Sequence, residues 1–217
     1  MPPTETPLRE LTAGIASEQV APAGITAVAA AAAMGTALCE MCCIHTIEAQ
    51  RATRTLEDLG EPVDQSDCDP THASDHSLEA VRSRLETQRE TLLTLADRDA
   101  ALVSELFAGE AAPSAETRRQ AARIPLAVVE AAVEVLADAP LAIERGRPGV
   151  AADARTGALL VEAGLRASAA TVRSNLEGDD TDAATELLDR LAAAERRAAA
   201  VDLDGIGELY YSDTNNH

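Results

Sequence analysis

Two aspartates stand out because each lies where a carboxylate has an unusual environment. Asp99 interrupts a stripe of leucines and valines, and Asp153 follows a segment with glycine and proline at the start of an Ala-rich run. A carboxylate on an apolar stripe loses hydration unless it is paired, whereas one at a helix start is stabilised by free amide groups. If the fold brought the two together, their pKa values would diverge, and one could act as an acid and the other as a base. Pairing of Asp99 with an arginine and helix capping by Asp153 are the structural alternatives.

A second group with chemical potential consists of thiols and imidazoles: Cys39, Cys42, Cys43, His45, Cys68, His72 and His76. Cys39 and Cys43 are one helical turn apart, and the spacing of Cys68 and His72 is feasible for metal ligands. These pairs lack the tight loop spacing of structural zinc sites, and a buried cysteine is an ordinary small apolar residue on an Ala-rich helix. We therefore expect no metal and reduced thiols, with a zinc-dependent module as an alternative.

The overall charge and the missing residue types exclude several partners. The chain of 217 residues has a formal net charge of −19, and its 18 basic residues are all arginine, against 37 Asp and Glu. Nucleic acids and anionic membranes need a basic face, and a content of 1% aromatic residues provides no base-stacking platform. An acidic surface without lysine is expected in a cytoplasm of molar salt, where the screening length falls to about 3 Å. We therefore predict a halophilic, cytoplasmic protein that binds neither nucleic acid nor a membrane.

The segment from Pro22 to Met41 predicts the helix around which the others pack. It contains no charged residue between Val20 and Glu40, and most of its side chains are small. Small side chains let neighbouring helices approach closely on every side, so we expect a buried central helix. A membrane span is possible on length, but alanine, glycine and threonine are weakly hydrophobic and the flanks are acidic. A signal peptide would begin with basic residues and carry its apolar core earlier.

Helical periodicity continues along the rest of the chain, and no segment alternates with the period of a strand. The sequence therefore predicts an all-α, single-domain multi-helix bundle over residues 1–201, followed by a disordered polar tail over 202–217. The small face of a helix at 154–176 should pack on the Ala-rich helix. The other predicted elements are a disordered start (1–6), a lid helix (7–17), a polar loop (61–76), an apolar stripe (78–106), a helix capped by Ser114 with bends at Pro125 and Pro140, a loop (145–149) and a last helix (187–201).

Five short motifs follow one another along the chain: Pro22-Ala-Gly-Ile-Thr26, Leu95-Ala-Asp-Arg-Asp99, Ile124-Pro-Leu126, Gly146-Arg-Pro-Gly-Val-Ala-Ala-Asp153 and Val172-Arg-Ser-Asn175-Leu176. In this order they resemble the cyclodeaminase/cyclohydrolase family, which comprises formiminotetrahydrofolate cyclodeaminase domains and related methenyltetrahydrofolate cyclohydrolases. The resemblance covers roughly residues 7 to 200. It implies an all-helical, usually homodimeric protein that binds a folate between helices.

The resemblance also implies roles for individual residues. The acid of the family's middle helix matches Asp99, and the family's loop that ends in Ser-Asp matches the segment ending at Asp153. These two are therefore the expected catalytic residues. The substrate-binding residues would be Pro22, Gly24, Thr26, Arg145, Arg147, Thr171 and Asn175, with Thr26 and Asn175 at the pterin and Arg145 or Arg147 at the glutamate tail.

The function implied by the resemblance is the hydrolysis of 5,10-methenyltetrahydrofolate to 10-formyltetrahydrofolate, or the cyclodeamination of formiminotetrahydrofolate. The substrate would be a tetrahydrofolate derivative, and no metal is expected. Several family positions differ here: the segment 146–153 lacks both asparagines and the serine, Thr171 replaces a further asparagine, and the basic segment after the first long helix is missing. Because these differences fall at ligand-contacting positions, a non-catalytic family member acting as a helical binding or scaffold dimer is the alternative.

Overall fold

A computed structural model describes residues 2–58, 75–106 and 113–201. All regular structure in these ranges is helical and consists of a short 3₁₀ helix at Pro3–Glu5 and six α-helices. The α-helices are α1 (Leu8–Ile15), α2 (Gly24–Asp58), α3 (Asp75–Leu106), α4 (Ala115–Arg145), α5 (Pro148–Leu176) and α6 (Asp182–Ala199). The predicted all-α class is confirmed. The predicted polar loop up to residue 74 and the predicted tail at 202–217 lie outside the described residues.

The two helices with small residues, α2 and α5, pack backbone to backbone. A Cβ atom placed on Gly35 would lie 2.5 Å from the carbonyl oxygen of Gly157, so a side chain does not fit there. Gly164 faces Ala32 in the same way, and the residue numbers of α2 and α5 therefore run in opposite directions along the contact. The predicted packing of the late small-residue helix on the early Ala-rich helix is confirmed.

α2 is the central helix, but it is not covered on every side. It contacts α3, α4 and α5, and its residues contribute to both apolar clusters of the core. Its remaining side is open, since Met34 is 51% exposed. By length and composition alone α2 could cross a membrane, and 50% of its most apolar window is buried inside the bundle. A core helix of a helical bundle has the same properties.

α3 contributes the predicted apolar stripe. Its leucines and valine at 78, 81, 85, 92 and 95 are buried, and Asp99 is buried with them. The leucines at 102 and 106, nearer the end of the helix, are half-buried. The stripe therefore follows the predicted spacing of three and four residues, which keeps one face of α3 against the core.

α4 starts where the sequence predicts and continues through both of its prolines. Ser114 Oγ accepts a hydrogen bond from the N–H of Thr117 at 3.1 Å, as expected of an N-cap. Pro125 and Pro140 lie inside the helix, and neither ends it. An internal proline removes one backbone hydrogen bond, and the buried aliphatic residues on either side of Pro125 hold the helix together across that gap.

The start of α5 differs from the prediction. The predicted loop at 145–149 is only a two-residue turn, Gly146 and Arg147, because α5 begins at Pro148. Proline suits the first position of a helix, where its missing N–H is not needed. Asp153 is therefore the sixth residue of α5 and lies beyond the first turn, so the structural alternative in which it caps this helix does not hold.

The predictions for the two ends of the described chain also need correction. Residues 3–5 form a 3₁₀ helix, and Thr4 binds Asp97 of α3 through its N–H and its hydroxyl, so this start is not disordered. α1 has no buried residue and does not form the predicted lid. α6 begins five residues earlier than predicted because Thr181 caps it, with Oγ1 accepting the N–H of Ala184 at 3.3 Å.

Candidate functional site

The first contact among the predicted site residues joins α3 to the start of α2. Thr26 Oγ1 donates a hydrogen bond to Asp99 Oδ2 at 2.7 Å, and both side chains are buried. The backbone N–H of Thr26 also donates to the Asp99 carboxylate. Because N–H groups in the first turn of a helix have no intrahelical partner, Asp99 caps α2 from a neighbouring helix. Among the described residues Asp99 therefore makes no ion pair with an arginine, the structural alternative that the sequence left open for it.

The environment of Asp99 also changes its acidity. Burial raises the pKa of Asp99 above its ordinary value of 3.8, and the two hydrogen bonds from Thr26 lower it by less. A carboxylate this deeply buried is held by its neighbours and is not open to solvent in the single chain. Its direct role here is to shape the first turn of α2.

Asp153 is placed quite differently. Its side chain is exposed on α5. Its charge also reaches the thiol of Cys42 in α2: burial, with a smaller contribution from Asp153, raises the pKa of Cys42 to about 11. Cys42 Sγ donates a hydrogen bond to the carbonyl oxygen of Ala142 at 3.4 Å. Asp153 therefore lies near the point where α2 meets the end of α4, and a solute can reach its carboxylate.

Thr46 and Cys42 of α2 hold the junction between α4 and α5 in place. Thr46 Oγ1 accepts a hydrogen bond from the N–H of Arg147 at 3.1 Å and donates one to the carbonyl oxygen of Cys42 at 2.7 Å. A Cβ atom on Gly146 would lie 2.5 Å from Cys42 Sγ, so the turn between α4 and α5 passes directly over the thiol. The start of α5, and with it Asp153, is thus positioned by packing against the middle of α2.

Three arginines belong to the same junction. Arg145 ends α4, Arg147 precedes α5, and Arg155 follows Asp153 by two residues; all three side chains are half-buried. Within the described residues, Arg155 Nε is buried and makes no hydrogen bond. Half-buried guanidinium groups are strong partners for carboxylates. The junction can therefore attract and hold an anionic group beside Asp153.

The other predicted binding residues lie toward the opposite end of α2. Gly24 is the exposed first residue of α2, and Pro22 is half-buried just before it. Thr171 and Asn175 are half-buried near the end of α5. α5 runs antiparallel to α2, and Gly164 of α5 faces Ala32 of α2. Thr171 lies seven residues further along α5, so it is level with residues about seven positions earlier in α2, which are in the first turns of that helix.

The predicted site residues thus fall into two groups in the single chain. One group surrounds the start of α2 and includes Thr26 and Asp99; the other surrounds Cys42 and includes Asp153. Thr26 and Cys42 are sixteen residues apart in one helix, which corresponds to about 24 Å. The hypothesis that one chain brings Asp99 and Asp153 together as an acid and a base is therefore not supported by the structure.

The surroundings of the thiols in α2 indicate a structural role for them. Burial raises the pKa of Cys39 to about 12 and that of Cys43 to about 12, and both are free cysteines. Thiols with such pKa values carry little thiolate at neutral pH, and thiolate is the form that binds metals or attacks substrates. Among the described residues, no three His, Cys, Asp or Glu side chains are placed to hold a metal ion. Cys68 and His72 lie outside the described residues, as does the side chain of His76.

Sequence reasoning missed two residues of the junction, Thr46 and Arg155. Thr46 lies one helical turn after Cys42, a position from which a hydroxyl can bond the preceding turn and still accept a further bond. Arg155 is a charged residue near the start of a helix of small apolar side chains, and this contrast is visible in the sequence. Neither signal indicates which helix lies opposite, so the junction itself needed the structure.

The comparisons with known proteins agree with one another. Residues 7–193 match the family model described as formiminotransferase-cyclodeaminase. The methenyltetrahydrofolate cyclohydrolase of Methylorubrum extorquens is 29% identical over 199 residues, covering 87% of this chain and 88% of that protein. The crystal structure of formiminotetrahydrofolate cyclodeaminase from Thermotoga maritima shares the fold, with a TM-score of 0.76, 18% identity, and coverage of 94% of this chain and 95% of that one. The chain belongs to the formiminotransferase-cyclodeaminase family.

Proposed function

We propose that the protein is a folate one-carbon enzyme that hydrolyses 5,10-methenyltetrahydrofolate to 10-formyltetrahydrofolate. The observation that carries this proposal is a solvent-exposed carboxylate, Asp153, on a rigid helix junction with Arg145 and Arg147, in a member of this family. The cyclohydrolase named among the relatives favours hydrolysis. Cyclodeamination of formiminotetrahydrofolate is the second candidate activity, because the family model and the Thermotoga protein carry that name.

The hydrolysis needs one proton acceptor and a place for a cationic substrate. Asp153 accepts a proton from water as the water oxygen attacks the methenyl carbon, whose positive charge the carboxylate also stabilises. The bond from that carbon to N5 then breaks as N5 takes up the proton from Asp153. The hydroxyl group on the carbon releases its remaining proton to solvent as it becomes the formyl carbonyl, and the formyl group stays on N10. General base catalysis of this kind supplies about 10²- to 10⁴-fold in rate, and positioning of the substrate supplies the rest. Arg145 and Arg147 bind carboxylates of the glutamate tail.

A second copy of the chain completes the site in this proposal. Met34, Leu38, Met41 and Leu160 form an apolar surface, called here the α2–α5 surface. Leu38 and Leu160 meet at the close contact of the two helices, and Met34 is 51% exposed. No charged residue occurs in α2 from Gly24 to Cys39. Since two chains of charge −19 repel each other elsewhere, this uncharged surface is where a homodimer can form.

The position of Met34 determines which parts of the two chains face each other in the dimer. Met34 is midway along α2 between Thr26 and Cys42. In an isologous dimer whose two-fold axis passes by Met34 and is perpendicular to α2, the two α2 helices run antiparallel, and the start of one lies level with Cys42 of the other. Asp153 of one chain then faces the Gly24–Thr26 end of its partner, which Asp99 shapes. Pro22, Gly24, Thr171 and Asn175 bind the pterin from there, while the predicted pterin contact Thr26 is buried and supports this helix start through its bond to Asp99.

The function is tested by the loss of methenyltetrahydrofolate absorbance when purified protein is added in molar KCl. We expect Asp153→Asn to lower the rate above background by at least about 100-fold, because the proton acceptor is lost. Asp189→Asn, which changes an exposed aspartate of α6, is the matched control and should retain the activity. Full activity in Asp153→Asn would remove this residue from the mechanism.

The same assay separates the proposal from its rivals. A non-catalytic dimer that serves as a scaffold would leave the absorbance unchanged in the wild type, while release of ammonia from formiminotetrahydrofolate would identify the cyclodeaminase. Molar KCl is part of the design because we also propose a halophilic, cytoplasmic protein. That proposal is supported by the absence of lysine and the net charge of −19.

A further inference from the structure

The short helix α1 has an apolar face that nothing in the described chain covers. Leu8 is 63% exposed and Ile15 is 37% exposed, and Leu11 between them is half-buried. α1 has no buried residue, whereas each of the other five α-helices contributes buried side chains to the core. Its leucines and isoleucine nevertheless recur at the spacing of one helix face.

An amphipathic helix of this length needs a surface to pack on. Isolated helices shorter than about 12 to 15 residues are marginal in water, and α1 has eight residues. α1 forms although Leu11 and Gly14 are only half-buried within its own chain, so a contact from outside that chain would add to its stability.

Contacts at both ends of α1 also fix where it lies. Before it, Thr4 N and Oγ1 donate to the Asp97 carboxylate at 3.0 and 2.7 Å. Near the end of α1, Gly14 packs on Pro22, so that an added Cβ would lie 3.3 Å from Pro22 Cδ. Asp97 is two residues from Asp99, which binds Thr26. α1 is thus held at the start of α2 with its apolar face outward.

We propose that α1 is a docking arm that packs on α2 of a second copy of the chain. This inference rests on the homodimer of the proposed function, in which the later half of the partner's α2 lies level with the start of α2 in the first chain. That part of the partner's α2 offers the half-buried Met41 and Ile44, and its exposed Glu48 and Arg51 carry charges opposite to the one arginine and the one glutamate of α1. Leu188, an exposed apolar residue of α6, lies instead beside Asp189.

The first test changes α1 and measures dimer dissociation by sedimentation equilibrium in molar KCl. We expect Leu8→Glu with Ile15→Glu to raise the dissociation constant at least about 100-fold, because each dimer loses two such apolar contacts. The exposed positions let the folded chain accept these changes, which far-UV circular dichroism checks. Leu188→Glu on α6 is the control, with the same 37% exposure as Ile15, and should leave dissociation unchanged.

The outcomes distinguish the arm from the dimer. A wild-type chain that stays monomeric at all concentrations overturns both the dimer and the arm. A wild-type dimer whose dissociation constant is the same in the α1 variant overturns the arm alone and leaves the proposed function standing.

The second test uses the unaltered protein and trypsin cleavage after Arg9, an exposed residue within α1. If a partner covers α1, the cleavage rate measured by mass spectrometry falls at least about 10-fold as the concentration passes through the dimer dissociation constant. Slow cleavage at every concentration would mean that α1 packs on its own chain. Fast cleavage at every concentration would mean that nothing covers α1. Either of these two results overturns the proposal.

Discussion

At the scale of single residues, the two predicted acids have different tasks. Asp99 is buried and accepts two hydrogen bonds from Thr26, so its carboxylate organises the start of α2. Asp153 is exposed on a junction that Thr46 and Gly146 hold against α2. A sequence can mark both residues as unusual, because one interrupts an apolar stripe and the other follows a turn. It does not show which one a solute can reach.

The Asp99 contact predicts an effect of pH on stability. The pKa of Asp99 is raised in the folded chain, so the native state binds more protons than the unfolded state above pH 3.8, the ordinary value. Stability from this group therefore falls as pH rises through that value toward the folded pKa. Thr26→Val removes a hydrogen bond that lowers the pKa, which extends this fall to higher pH. It should also reduce the free energy of unfolding near neutral pH by about 1–3 kcal/mol.

Urea denaturation between pH 4 and 7 measures both effects. Asp99→Asn provides the control, because an amide has no proton to lose, and Thr26→Val in that background should show no extra pH dependence. Equal pH profiles for the wild type and Thr26→Val would show that the hydroxyl does not affect the titration of Asp99.

At the scale of elements, two small-residue helices carry the architecture. Gly35 and Gly157 let α2 and α5 touch through their backbones. This contact sets the register of the two antiparallel helices, and with it the positions of both groups of predicted site residues. The sequence predicted the pairing because small residues recur along one face of each helix. It did not predict where α5 begins, because a glycine and a proline close together indicate a loop, and the same proline also favours the first position of a helix.

The close contact predicts a large cost for one added methyl group. Gly157→Ala places a Cβ against the backbone of Gly35, and overpacking of this kind costs about 1–3 kcal/mol in unfolding free energy. Gly149→Ala, near the start of the same helix, meets no atom within 4 Å and is the control. Urea titration of the two variants measures the difference. Equal stability of the two variants would mean that α2 and α5 are not held as close as described.

At the scale of the whole molecule, charge limits how the chain can associate. With a net charge of −19, contact between copies needs an uncharged face, and the α2–α5 surface with Met34 at its middle is such a face. The sequence predicted the central helix but not its open side, because Ala-rich segments suit burial against helices of the same chain and of another chain equally well. It also could not show that Asp99 and Asp153 lie beside points of α2 about 24 Å apart along that helix, since their placement depends on the packing of three helices.

The central claim is that each active site combines Asp153 of one chain with the start of α2 of its partner. Gly24 has open space around it, so Gly24→Phe should fold normally yet block the pterin, and Asp153→Asn should remove the base. Each variant alone should be inactive toward methenyltetrahydrofolate.

The most direct measurement mixes these two inactive variants in equal amounts, lets the subunits exchange, and follows the loss of methenyltetrahydrofolate absorbance. Half of the dimers are then mixed, and each mixed dimer has one intact site, so the account predicts recovery of about a quarter of the wild-type rate. If both residues serve a site within one chain, every site carries a defect. A mixture that stays as inactive as its components would contradict the account.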